Sequence, residues 1–231
     1  MVNFDPNQPA ENPFQFSECF LMPMPLGKKA TNLRELLEIL RDSDESVLFY
    51  HLLQFRLAVT QPFVEYPNEF ALWAATALQD PKLAEKLSSF DPFDYEDMGQ
   101  VREAALDILE EYLWDLPMVP WVRPGFEFHF CEASMVVIQQ EIPATTIKEF
   151  CGVLERIGLD SVYYHFFEAR HRLGMHQIDD FSYWIDTNFG LPDLVAAIRD
   201  IDIYFFSLKE IRDILLKLIS EHLGEICDHV G

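Results

Sequence analysis

Only nine glycines occur in 231 residues, and none of them belongs to a glycine-rich phosphate loop, a Gly-x-Ser-x-Gly elbow or a dinucleotide-binding fingerprint. Those motifs require glycine because the backbone itself must wrap a phosphate or turn sharply behind a nucleophile. The familiar nucleotide and hydrolase chemistries are therefore disfavoured. Positive charge is also scarce: 17 Lys and Arg stand against 39 Asp and Glu, for a net charge of -22. The cations are dispersed, with Lys28-Lys29 as one small pair, so the field of this protein repels phosphate backbones and anionic lipid. Cys19, Cys131, Cys151 and Cys227 form no Cys-x-x-Cys pair and sit in apolar or helical runs, where reduced thiols act as small hydrophobes. No uninterrupted apolar run approaches a membrane span, and the opening Met1-Val2-Asn3-Phe4-Asp5-Pro6 lacks the basic start and apolar stretch of a signal peptide. The expected setting is cytoplasmic, with neither nucleic acid nor membrane as partner.

What is abundant is hydrophobic and repeated. Hydrophobic residues make up 49% of the chain and 20 residues are Phe, which is incompatible with disorder and places the acidic charge on the surface of a folded body. Phe14-Gln15-Phe16 with Glu18 returns as Phe128-His129-Phe130 with Glu132, and Tyr50-His51 returns as Tyr164-His165. Arg56 likewise returns as Arg170, and Phe70, Trp73, Thr76, Pro81 and Leu83 reappear as Phe181, Trp184, Thr187, Pro192 and Leu194. Such self-similarity predicts a mainly α protein: two tandem copies of a unit with one short β-strand and about five helices, related by a pseudo-twofold axis.

The expected division is an N-terminal arm over residues 1–13, a first repeat over 14–113, a Pro-rich linker over 114–125 and a second repeat over 126–231. Alternating aromatic and polar residues predict the strands at Phe14 to Met22 and at Phe126 to Ile138. Helix starts recur at matched places, with Asn32-x-x-Glu35 answering Thr146-x-x-Glu149 and Asp97-x-x-Gln100 answering Ser207-x-x-Glu210. All four resemble capping boxes or close variants, in which the first side chain accepts from a free amide and the fourth reaches back. Asn68 and Asp179 mark a further start, and Pro81 and Pro192 suit first turns, where the missing amide proton costs nothing. A helix is also predicted from Asp44 to Ala58 and from Asp160 to Leu173.

Chemistry, if present, centres on that helix. His51 lies one turn from both Leu48 and Phe55, and His165 is placed likewise, so each is a core histidine with both nitrogens satisfied or a base facing a shared cleft. The core reading is preferred, because burial by pattern is common and catalysis is rare. Glu18 and Glu132, on aromatic strands, need partners, and the duplicated candidates are His51 with Arg56 and His165 with Arg170. Tyr50 and Tyr164 add hydroxyls. The candidate ligand-binding set is thus Glu18, Tyr50, His51, Arg56, Glu132, Tyr164, His165 and Arg170, with a buried structural network as the favoured alternative. No His-x-x-x-His or Glu-x-x-His pair occurs, so neither a metal nor another cofactor is expected. Asp200-x-Asp202 reads as a solvated turn.

Phe-His-Phe-Cys-Glu (128–132), Tyr-His-Phe-Phe-Glu-Ala-Arg (164–170) and Asp-Phe-Ser-Tyr-Trp (180–184), with their earlier counterparts, resemble an uncharacterised bacterial family of unknown function. The likeness runs from about Phe14 to Leu223 and implies a bacterial cytoplasmic setting, with no activity or site to carry over. Two functions are consistent with the residues. The first is a non-catalytic binding or regulatory protein that presents acidic surface to a protein partner. The second is a site at the pseudo-dyad for an anionic or polyhydroxy small molecule, either enzymatic or sensory.

Overall fold

Two strands of 17 residues each, β1 (Phe14–Ala30) and β2 (Phe128–Ala144), pair as a ribbon in a computed structural model that describes residues 4–54, 66–172, 178–202 and 206–224. They run antiparallel: Gln15 near the start of β1 donates to the Gln140 carbonyl near the end of β2, whereas Lys29 meets Glu127, 3.5 Å away, ahead of β2. Two compact units result, and each takes part of both strands. The central unit is Leu21–Met135, and the terminal unit joins Met1–Phe20 to Val136–Gly231.

This corrects the expected fold class. The strands are about as long as the longest helices, so the protein is a mixed fold of helices and strands and not mainly α. Nor is the body made of consecutive copies that each open on their own strand, since the start of β1 belongs with the helices that follow β2. The cause is the ladder itself. Pairing β1 with β2 along their length satisfies the facing backbone groups of both strands, and each strand then contributes to both units.

In the central unit, β1 is followed by α1 (Leu33–Arg41), α2 (Glu45–Phe49), a π turn (Tyr50–Gln54), α3 (Glu69–Thr76), α4 (Pro81–Ser88) and α5 (Met98–Asp115). Helix α1 carries Leu33, Leu36, Leu37 and Leu40 on one buried face, the spacing that a period of 3.6 residues requires. Its start is set by Asn32, whose side chain accepts from the Glu35 amide at 3.0 Å, while Glu35 accepts from the amide and hydroxyl of Thr31 at 2.7 Å. The box is thus displaced by one residue. These bonds also hold the Glu35 carboxyl below its ordinary pKa.

In the terminal unit, β2 leads to α6 (Ile147–Leu154), α7 (Leu159–Tyr163), a second π turn (Tyr164–Glu168), α8 (Ala169–Arg172), α9 (Asp180–Phe189), α10 (Pro192–Arg199) and α11 (Leu208–Leu223). Thr146 caps α6 with the same displacement, because Glu149 returns to Thr145, whereas Ser207 and Glu210 form a reciprocal box on α11. The helix expected from Asp160 to Leu173 is interrupted by the π turn, and so is its counterpart at Tyr50. A π turn holds an extra residue per loop, so apolar spacing alone does not reveal it. Phe16, Phe150, Phe166 and Phe181 fill this unit's core, as Phe70, Phe128, Phe130 and Leu83 fill that of the central unit.

Each unit has an inner strand segment packed on helices and an outer segment in solvent. In the central unit the outer segment is Met22–Lys29, exposed on both faces, and in the terminal unit it is Val136–Pro143, exposed except at Gln140. No helix among the described residues is long and apolar enough to cross a membrane.

Candidate functional site: two buried histidines

The π turn of the central unit delivers His51 into the core, where it is 0% exposed. Its ring sits among Phe128, Phe70 and Phe130, with centroids 4.7, 5.5 and 5.9 Å away. Nε2 accepts the backbone N–H of Cys131 on β2 at 3.0 Å, and Nδ1 lies 2.6 Å from Glu69 Oε2. A backbone amide can only donate, so Nε2 presents its lone pair and the ring proton resides on Nδ1, where it donates to Glu69. The imidazole is a clasp. It satisfies an amide on the outer side of the inner strand, a half-buried group that the ladder does not pair.

The terminal unit repeats this geometry. His165 is 3% exposed, lies against Phe14, Phe16 and Phe181, accepts from the Ser17 amide at 2.8 Å and donates through Nδ1 to Asp180 at 2.7 Å. Arg172 also donates to Asp180, at 2.8 Å, and stacks over the Tyr164 ring at 4.4 Å. Further parallels fix the strand ends. Trp73 Nε1 donates to the Phe126 carbonyl at 2.8 Å, and Trp184 Nε1 to the Asn12 carbonyl at 2.7 Å.

The other expected residues fall differently. Glu18, Tyr164, His165 and Arg170 belong to the terminal unit, and Tyr50, His51 and Glu132 to the central unit; Arg56 lies outside the described residues. Glu18 accepts from Gln140 Nε2 at 2.6 Å and Glu132 from Ser46 Oγ at 3.1 Å, so neither is the carboxylate of a histidine. Arg170 is buried, stacked over Phe166 at 4.6 Å. Burial, with Glu69 and Cys131 nearby, pushes the Tyr50 hydroxyl up to about 12. Burial likewise raises the Cys131 thiol, and it carries Cys19, beside Asp160 and Glu168, to about 12. Neither thiol is disposed to act as a nucleophile.

Glu69 and Asp180, the true partners, were not among the expected residues. Each directly follows a helix cap (Asn68 or Asp179) and directly precedes a core Phe (Phe70 or Phe181), and that matched acid was the available signal. Ser17 and Cys131 act through main-chain amides, which leave no mark in side-chain chemistry. Among the described residues no group of three or more His, Cys, Asp or Glu is arranged to hold a metal. With both ring nitrogens engaged, neither histidine has a lone pair left for a substrate proton.

A family model described as a family of unknown function (DUF5752) matches residues 11–220. The solved structure of OrfY from Thermoproteus tenax is 28% identical to this chain and superposes with a TM-score of 0.79, over 94% of this chain and 99% of that one. No curated protein matches.

Proposed function

The chain belongs to this family of unknown function, and we propose that it is a non-catalytic cytoplasmic binding or regulatory protein that works through contact with another protein. The observation behind this reading is the state of the outer strand segments. Val136, Val137, Ile138 and Ile142 in one unit, and Met22, Met24 and Leu26 in the other, stand in solvent, with Ile138 50% and Ile142 65% exposed. A chain that buries His51, His165 and many of its phenylalanines leaves these residues out, and clustered exposed apolar side chains mark interaction surfaces. The surrounding charge of -22 selects a partner with basic residues.

A second reading has one specific observation in its favour. In the terminal unit Asn12, Gln15, Asp180, Tyr183 and Asn188 line an open cleft of about 420 Å³ beside His165. Polar side chains next to an exposed tyrosine suit a small polyhydroxy ligand. Native against denaturing mass spectrometry of protein purified gently from its own host separates the two. Co-migrating protein that cross-links to the outer strand segments is the expected result. Excess small mass lost on denaturation, with no protein bound, would overturn the protein-binding reading in favour of the cleft.

A further inference from the structure

The two outer strand segments are not equivalent as edges. Ser17 and Cys131 turn their amides away from the ladder, towards the histidines. In an antiparallel pair, residues two apart along a strand direct their backbone groups to the same side. By this alternation Pro23 and Pro25 lie on the outer edge of β1. Proline has no N–H, so that is the side a ladder tolerates, and two prolines there deny the edge to any further strand. Lys28 and Lys29 follow after Leu26 and Gly27 and add charge. On β2 the same alternation turns the amides of Val137, Gln139 and Glu141 outward, and proline appears only at Pro143, where the exposed segment ends. This stretch is rich in β-branched residues and carries no charge from Ala133 to Gln140.

Resting on the protein-binding reading above, we infer that the outer edge of β2 from Val136 to Ile142 docks an extended apolar segment of a basic partner, which adds there as a third strand. Main-chain bonds to Val137, Gln139 and Glu141 supply affinity, and Val136, Ile138 and Ile142 supply apolar contact. The choice of a basic partner over a second copy follows from charge. A second copy would bring two bodies of net charge -22 together. The uncharged stretch up to Gln140 does not itself oppose pairing, and cationic residues flanking the incoming strand would meet Glu141 and the acidic body.

The full chain can be tested with two synthetic peptides that share a seven-residue core of alternating valine and threonine, one flanked by lysines and one by glutamates. The lysine peptide is expected to bind at least about tenfold more tightly in low salt, and to lose that advantage in high salt. Amide exchange should slow at Val137, Gln139 and Glu141 and stay unchanged at Leu21, the outward amide of β1 that precedes Pro23. Val137→Pro removes an outward amide without touching the ladder, as Pro23 and Pro25 already do, so it should abolish binding while the melting temperature holds. Equal binding of the two peptides, or protection confined to β1, overturns the inference. So does a dimer of the protein alone in sedimentation that Val137→Pro dissolves. A native partner that cross-links only to Met22–Leu26 would sink this inference and leave the protein-binding reading standing.

Discussion

In the central unit Asn68 caps α3, and in the terminal unit Asp179 caps α9. Asn68, 3% exposed, accepts from the Ala71 amide at 2.9 Å and donates to the Leu87 carbonyl at 2.8 Å. Asp179, 0% exposed, accepts from both the amide and the hydroxyl of Ser182, at 2.8 and 2.6 Å. The amide uses both of its ends and brings no charge. The carboxyl is pushed above its ordinary pKa by burial, an effect that the Ser182 bonds and the Arg170 charge only partly offset. One helix start can thus be closed with or without a titrating group, and only the terminal unit acquires a pH dependence from it. The next helix reverses the contrast. Asp80 caps α4 and accepts from Tyr112 Oη at 2.7 Å, whereas Leu191 gives α10 no side-chain cap.

The largest expected effect tests what the units share. His51→Ala and His165→Ala each remove two buried hydrogen bonds and leave a strand amide unpaired, so each should cost about 3 kcal/mol of unfolding free energy in denaturant titration. Matched losses fit two equivalent clasps. A loss at one site alone would show that the shared geometry carries unequal energy.

Exchanging the caps should transfer the difference between the units. Because the Asp179 pKa is raised on folding, the folded state holds that proton more tightly, and its contribution to stability falls as pH rises from the ordinary aspartate range, about 3.9, towards the folded value. Asp179→Asn should flatten that part of the stability curve. Asn68→Asp sets a carboxyl against the Leu87 carbonyl, so it should cost about 1–3 kcal/mol at neutral pH and less in acid. Melting temperature measured against pH checks both, and unchanged profiles would remove this distinction between the units. The smallest effect is expected at the surface of the central unit. Lys86→Ala, which breaks the exposed 3.0 Å pair with Glu111, should move stability by less than about 0.5 kcal/mol.

The residues of the histidine clasps were legible singly, but their grouping was not. Aromatic alternation marks Phe14, Phe16, Phe128 and Phe130 as a buried face, and helical spacing puts His51 and His165 in the core, because both patterns express local geometry. Pairing Glu18 with His51 follows the order of the chain, whereas Ser17, from the same strand, bonds His165, 148 positions away. Strand partners are set by long-range backbone pairing, which side-chain periodicity does not encode. The visible part of the site was therefore the residues that the repeat singled out, and the hidden part was the acids and amides that meet them.

By itself the sequence determined the acidic folded body, the helix starts at Asn32, Asp97, Thr146 and Ser207, and the aromatic cores, since charge, caps and periodicity act over a few neighbouring residues. Only the tertiary structure decided that two strands of 17 residues run through both units, that π turns carry the histidines, and that one outer edge is closed by proline while the other is open. Those features depend on which backbone groups find partners far along the chain, and that is settled only when the whole ladder closes.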